Sequence, residues 1–179
     1  MIVSFAPAVA KPGPLRRLAA LAFALAALAG PAAAGLPASA PLFAATLSDL
    51  DDQPQAFAAY KGRPLVINFW ARWCPPCRQE IPEFVKARVR HKGSGVEVLG
   101  IAIEAQAAAV RDFAKAYEMD YPLLLAKDNG IALMQALGNE QGGLPFTLAV
   151  DRRGVVVYQK LGAMTAADID AAFAAASKR

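Results

Sequence analysis

Soft metal ligands are scarce in this chain: its 179 residues contain two cysteines, Cys74 and Cys77, and one histidine, His91. A structural zinc takes four ligands, so a zinc site built from these three is one short. A single histidine also excludes any histidine-based triad not built on His91. No glycine loop of phosphate-cradling spacing and no internal repeat occurs, which removes the usual nucleotide-binding signatures. Lys/Arg clusters with interleaved aromatics are missing as well, so no nucleic-acid partner is expected. The apolar run near the start, Leu18 to Leu28, falls well short of the roughly 20 residues a membrane helix needs, and Gly30-Pro31 would interrupt its extension.

What the first residues do contain is an export pattern. Lys11, Arg16 and Arg17 precede that apolar run, and the small residues Ala32-Ala33-Ala34-Gly35 follow it. This order of charged, apolar and small residues reads as a signal peptide over 1–34 cleaved after Ala34, with Ala40 as the second choice and an uncleaved membrane anchor as the alternative. No cysteine lies in the leader, so a lipid-anchored start is excluded. Lys11, Arg16 and Arg17 are the only charged residues in 1–34, so their removal lowers the formal charge from +4 to +1. The basic balance therefore belongs mostly to the leader. Residues 35–41 read as an Ala/Pro linker and 42–179 as one domain, long enough for a real core.

Within that domain, Leu65 to Trp70 is an almost wholly apolar strand, and an apolar helical spacing through Cys77, Ile81, Phe84, Val85 and Val89 follows it. Cys74-Pro75-Pro76-Cys77 thus stands where a strand ends and a helix begins. Unpaired N–H groups and the helix dipole favour an anion there, so a thiol in the first turn ionises more easily. Cys74, the more N-terminal, is the candidate nucleophile, and Cys77, on the apolar face, the resolving thiol. Pro75 and Pro76 suit the first turn and lack N–H groups, so they limit the stabilisation of a Cys74 thiolate. That places the pair toward the reducing end of the disulfide range. In an exported protein a Cys74–Cys77 bridge could also be purely structural, but a loop of two prolines gains little from closure.

Other elements follow by pattern. Leu42 to Leu47 and Gln53 to Phe57 read as short edge strands, Pro54 fitting only an edge. The helix from Pro75 to about Arg90 is expected to kink at Pro82. Glu80 lies close enough to the cysteines on this helix to influence either thiol, and Asn68 is a buried amide that cannot titrate. Val96 to Ile103 is a second buried strand, Ala105 to Glu118 a helix, Tyr121 to Leu125 a strand and Ile131 to Leu137 a helix. Glu104 stands at a strand end from which it could approach the cysteines. Gly142 to Thr147 introduces a strand through Val150, Asp151-Arg152-Arg153-Gly154 is a turn, Val155 to Gln159 pairs back as a hairpin, and Thr165-Ala166-Ala167-Asp168 opens the last helix with a capping box. The sum is an α/β domain with a mixed central sheet covered by helices.

The stretch Asn68-Phe69-Trp70-Ala71-Arg72-Trp73-Cys74-Pro75-Pro76-Cys77-Arg78-Gln79-Glu80-Ile81-Pro82, with Gly143-Leu144-Pro145-Phe146-Thr147 and Val150-Asp151-Arg152-Arg153-Gly154, resembles the exported thioredoxin-like oxidoreductases of the TlpA and ResA type. The resemblance implies a thioredoxin-like fold with an N-terminal strand pair and a strand-helix insertion over Tyr121 to Leu137. It implies a cis Pro145 against the cysteines, a Leu144 backbone that pairs with substrate, apolar contact from Trp73, and a redox role for Glu80. The expected activity is thiol:disulfide exchange through a Cys74–Cys77 cycle in the periplasm, with no cofactor or resident metal. Client-protein cysteines, such as those of apocytochrome c or a metalloprotein, would be the substrates of a monomeric enzyme, and a membrane electron donor would re-reduce it. Two alternatives stand beside a reductase: an oxidase or isomerase on the same scaffold, and a non-catalytic copper module using Cys74, Cys77 and His91 or a methionine.

Overall fold

The computed structural model describes residues 36–178; the leader and its cleavage sites lie outside them, apart from the second-choice site at Ala40. Seven strands form one mixed sheet. In chain order the elements are α1 (Ala40–Ala44), β1 (Thr46–Ser48), β2 (Pro54–Ala56), β3 (Leu65–Trp70), α2 (Pro75–Arg90), β4 (Glu97–Ala102), α3 (Ala107–Ala116), β5 (Leu123–Leu125), α4 (Gly130–Ala136), β6 (Phe146–Val150), β7 (Val156–Leu161) and α5 (Ala166–Ala176), with single 3-10 turns at Phe57–Tyr60 and Lys127–Asn129. The strand order is β2-β1-β5-β4-β3-β6-β7. β3, β4 and β5 run parallel, while β1, β2, β6 and β7 pair antiparallel.

β3 is central and buried along its whole length, and its alternation divides the core. Val66 and Trp70 face a cluster with Cys74, Cys77, Ile81 and Phe84 of α2, Val110 of α3 and Phe173 of α5. Leu65, Ile67 and Phe69 face the other way, toward Leu42 of α1, Phe57, and Leu133 and Met134 of α4. The steps β3-α2-β4 and β4-α3-β5 move across the sheet in one direction, so right-handed crossovers put α2 and α3 on one face. α4 precedes the jump back to β6 and packs on the other.

The expected strand over Leu42 to Leu47 is a helix for half its length. Pro41 sits in the first turn of α1, where its fixed φ is helical and its missing N–H costs no bond, and the strand is confined to Thr46–Ser48. Ala40 and Pro41, read as linker, are thereby part of this helix. Pro54 does lie on the sheet edge, since β2 pairs only with β1. α2 is one helix from Pro75 to Arg90 with Pro82 inside it; Pro82 is exposed, so water can satisfy the Arg78 carbonyl that it leaves unpaired. Val89, expected on the apolar face, is exposed, and Ala87 is buried in its place. The capping box is formed, with the Thr165 side chain accepting from Asp168 N–H and the Asp168 carboxylate accepting from Thr165 N–H.

Gly100 stands opposite Asn68 in the sheet, and the packing above it requires the missing side chain. A Cβ there would lie 2.6 Å from Leu123 Cδ2 and 3.0 Å from Trp70 Nε1. Gly100→Ala is therefore expected to lower stability by about 1–3 kcal/mol, as overpacking of a filled core does. A denaturant titration with an unchanged midpoint would contradict this packing.

Candidate active site

The sulfurs stand at the carboxyl end of the parallel strands. β3 ends at Trp70, and Ala71-Arg72-Trp73 leads to Cys74, the N-cap of α2. Cys74 and Cys77 form a disulfide with an S–S distance of 2.08 Å. Both cysteines are buried, Cys77 completely and Cys74 with 4% of its area exposed. Pro75 and Pro76 fill the first two helical positions, so the first N–H that reaches the Cys74 sulfur comes from Cys77, at 3.3 Å. Trp73, directly before Cys74, is 66% exposed, an unusual position for a large apolar ring.

β6 is antiparallel to β3, with Phe146 opposite Phe69. The start of β6 therefore lies beside the end of β3, and Pro145 is brought to the same end of the sheet as the cysteine loop. The Leu144–Pro145 peptide is cis. Pro145 C=O accepts from Gly162 N–H at 2.8 Å, and Asn139 ties the preceding turn by accepting from Gly143 N–H and donating to its carbonyl. Leu144 is half-buried and packs against the cluster that holds both cysteines. Two residues that sequence reasoning passed over flank this loop: Ile131 and Leu161, both exposed, stand so near Gly142 and Gly143 that an added Cβ would meet them at 2.8 and 3.2 Å. Exposed apolar residues carry no signal in a sequence. Only the fold gathers them.

Glu80, one turn beyond Cys77, is buried at 1% exposure. Its Oε1 accepts from Asn68 Nδ2 at 2.7 Å and its Oε2 from Met164 N–H at 2.7 Å. Asn68 Nδ2 also donates to Thr147 Oγ1 on β6, at 3.1 Å. Burial, which penalises the carboxylate, raises the pKa of Glu80 to about 7, even though both donors and the distant Lys160 cation favour the charged form. β3 supplies no acid of its own, but its amide holds one from α2.

Glu104 also belongs here. It lies just past β4, buried, and accepts from Arg72 N–H at 2.5 Å, with Arg72 Nε and Nη2 each 2.7 Å from its Oε2. His91 does not. It caps the far end of α2, about 20 Å from Cys77 at the helical rise, stacked on Phe173 with Nε2 2.7 Å from Asp170 Oδ1. The copper reading that joins His91 to both cysteines is thus excluded by the length of the helix between them.

Residues 34–175 match the Redoxin family model. Among curated proteins, the chain is 30% identical over 126 residues to the thiol-disulfide oxidoreductase ResA of Bacillus cereus, covering 70% of this chain and 69% of that one. It is 30% identical over 123 residues to ResA of Geobacillus thermodenitrificans, covering 69% and 68%. Among solved structures, a thiol:disulfide interchange protein of the thioredoxin family from Chlorobium tepidum TLS is similar at a TM-score of 0.65 and 29% identity, covering 82% of this chain and 99% of that one. The structure of MTB dsbF in mixed oxidized and reduced forms is similar at 0.64 and 25%, covering 79% and 98%.

Proposed function

Because the chain belongs to the Redoxin family, as a thiol-disulfide oxidoreductase of the ResA type, we propose that it acts in the periplasm as a reductase of disulfides in client proteins. In the proposed cycle the Cys74 thiolate attacks one sulfur of a client disulfide; that S–S bond breaks and the leaving sulfur takes a proton. Cys77, giving up its proton, then attacks Cys74 and releases the second client thiol. Two electrons pass from the dithiol to the client, and the Cys74–Cys77 bridge remains. A membrane electron donor returns the two electrons. Trp73, the Leu144 backbone and Pro145 receive an extended client segment beside the sulfur, and Glu80 exchanges protons with the pair. Clients of the kind suggested are apocytochrome c or metalloprotein cysteines that must be reduced before loading.

The observation that carries the reducing direction is the pair of prolines under Cys74. Neither has an N–H to donate, and Pro76 stands at the second helical position, from which an N-cap side chain can accept, leaving the Cys77 N–H as the first donor. A less stabilised thiolate is a less stable reduced form, hence a lower potential. Equilibration with glutathione should place the couple nearer the roughly −270 mV of thioredoxin than the roughly −120 mV of a strong oxidant. Pro76→Ala, which restores one donor, should raise it by about 30 mV or more, the equivalent of one hydrogen bond to a charged group. A wild-type value at the oxidising end, or a protein found fully disulfide-bonded in its own compartment, would favour the oxidase.

A further inference from the structure

We propose that Glu104 is a positioning residue for the attacking sulfur: through Arg72 it fixes the turn that presents Cys74. β3 and β4 end level, with Trp70 opposite Ala102, and Ile103 N–H continues the ladder to Trp70 C=O at 3.0 Å. The next residue of each strand exit is thereby held side by side. Glu104 uses that placement to bind Arg72 twice, at the backbone N–H and at the guanidinium, with 7% of its side chain exposed. Ala71-Arg72-Trp73 has no strand or helix pairing of its own. Apart from the Glu104 clamp, the turn is closed by Cys74 N–H to Ala71 C=O at 3.2 Å. Cys74 can hold its sulfur over the Cys77 N–H only while this turn keeps its shape.

Position, not field, is the means. Arg72 and Glu104 neutralise each other, so the pair offers Cys74 little net charge. Deleting only the carboxylate would leave a cation near the thiol and favour its thiolate, whereas loosening the turn would withdraw the thiol from the helix N-terminus and disfavour it. The two mechanisms therefore move Cys74 reactivity in opposite directions.

The inference rests on Cys74 being the nucleophile, and the test separates the two. Reduced full-length protein is alkylated with iodoacetamide across pH, the labelled cysteine is mapped by peptide mass analysis, and the melting temperature is measured in parallel. Glu104→Ala should slow Cys74 alkylation at neutral pH by about tenfold, since small misplacements of a reacting group have effects of that size or more, and should move the pH midpoint upward. Glu104→Gln, whose carbonyl can still accept from Arg72 N–H, should recover most of the rate, and Arg72→Ala, which keeps the backbone bond, should fall between the two. If Glu104→Ala does not fold, Glu104→Asp, its carboxylate retracted by one methylene, carries the same test and should also be slow. Wild-type rate and midpoint with only a lowered melting temperature would overturn the proposal, as would Glu104→Gln losing as much as Glu104→Ala. Preferential labelling of Cys77 in the wild type would instead sink the nucleophile assignment itself.

Discussion

Cys74→Ala abolishes turnover in an insulin-reduction assay, a loss expected to exceed about a thousandfold because no second group can open a disulfide in its place. Among the described residues Cys77 is the only other sulfur nucleophile, and it lies fully buried beneath the first. Cys77→Ala loses turnover as severely but by another route. Its Cys74 still attacks, and the mixed disulfide then accumulates because nothing displaces it. The variants differ in what they leave behind: free enzyme in one case, covalent enzyme–client complex in the other. Equal residual turnover in both, well above the uncatalysed rate, would contradict the two-sulfur cycle.

The second large effect is expected at Glu80. A group held near pKa 7 one helical turn beyond the resolving thiol is about half charged at neutral pH, the condition in which a side chain can both take and return a proton. Glu80→Gln keeps the volume and removes the titration. Resolution of the mixed disulfide should slow by about a hundredfold, the lower part of the range for general acid–base catalysis, and the pH dependence of that step around 7 should vanish. The same group predicts the sign of a stability change. An unfolded Glu80 releases its proton near 4.5 and the folded one near 7, so between those values the folded state binds more protons. Stability therefore falls as pH rises through that window, by about 3 kcal/mol for a shift of this size, and is flat above it. Denaturant midpoints from pH 4.5 to 8 should show this slope in the wild type and lose it in Glu80→Gln. A Glu80→Gln variant with wild-type kinetics and slope would contradict both statements.

Much of this site is local in the chain, and what is local could be read there. Strand, two cysteines, two prolines and helix occupy consecutive residues from Leu65 to Arg90, so periodicity and first-turn chemistry were enough to place the sulfurs at a helix N-terminus. The capping box at Thr165 and the turn at Gly154 are equally local. The partners of those residues are not. Asn68 meets Glu80 across 12 residues and Thr147 across 79, and Glu104 meets Arg72 across 32. Spacing brings Glu80 and Glu104 toward the cysteines, but the groups that their carboxylates bind appear only in the fold. α1 was missed for a different reason: Leu42 to Leu47 is too short a run for the helical and extended periods to be told apart, and the burial of Leu42 in the core beside Phe57 is a tertiary effect.

One comparison bears most directly on the division of labour between the sulfurs. Reduced Cys77→Ala and Cys74→Ala proteins are each mixed with the same disulfide-bonded client peptide, and the covalent adducts are quantified and mapped by mass spectrometry. The account predicts rapid adduct formation through Cys74 in the first protein and almost none through Cys77 in the second. Adducts forming equally well through Cys77, or none through Cys74, would contradict it.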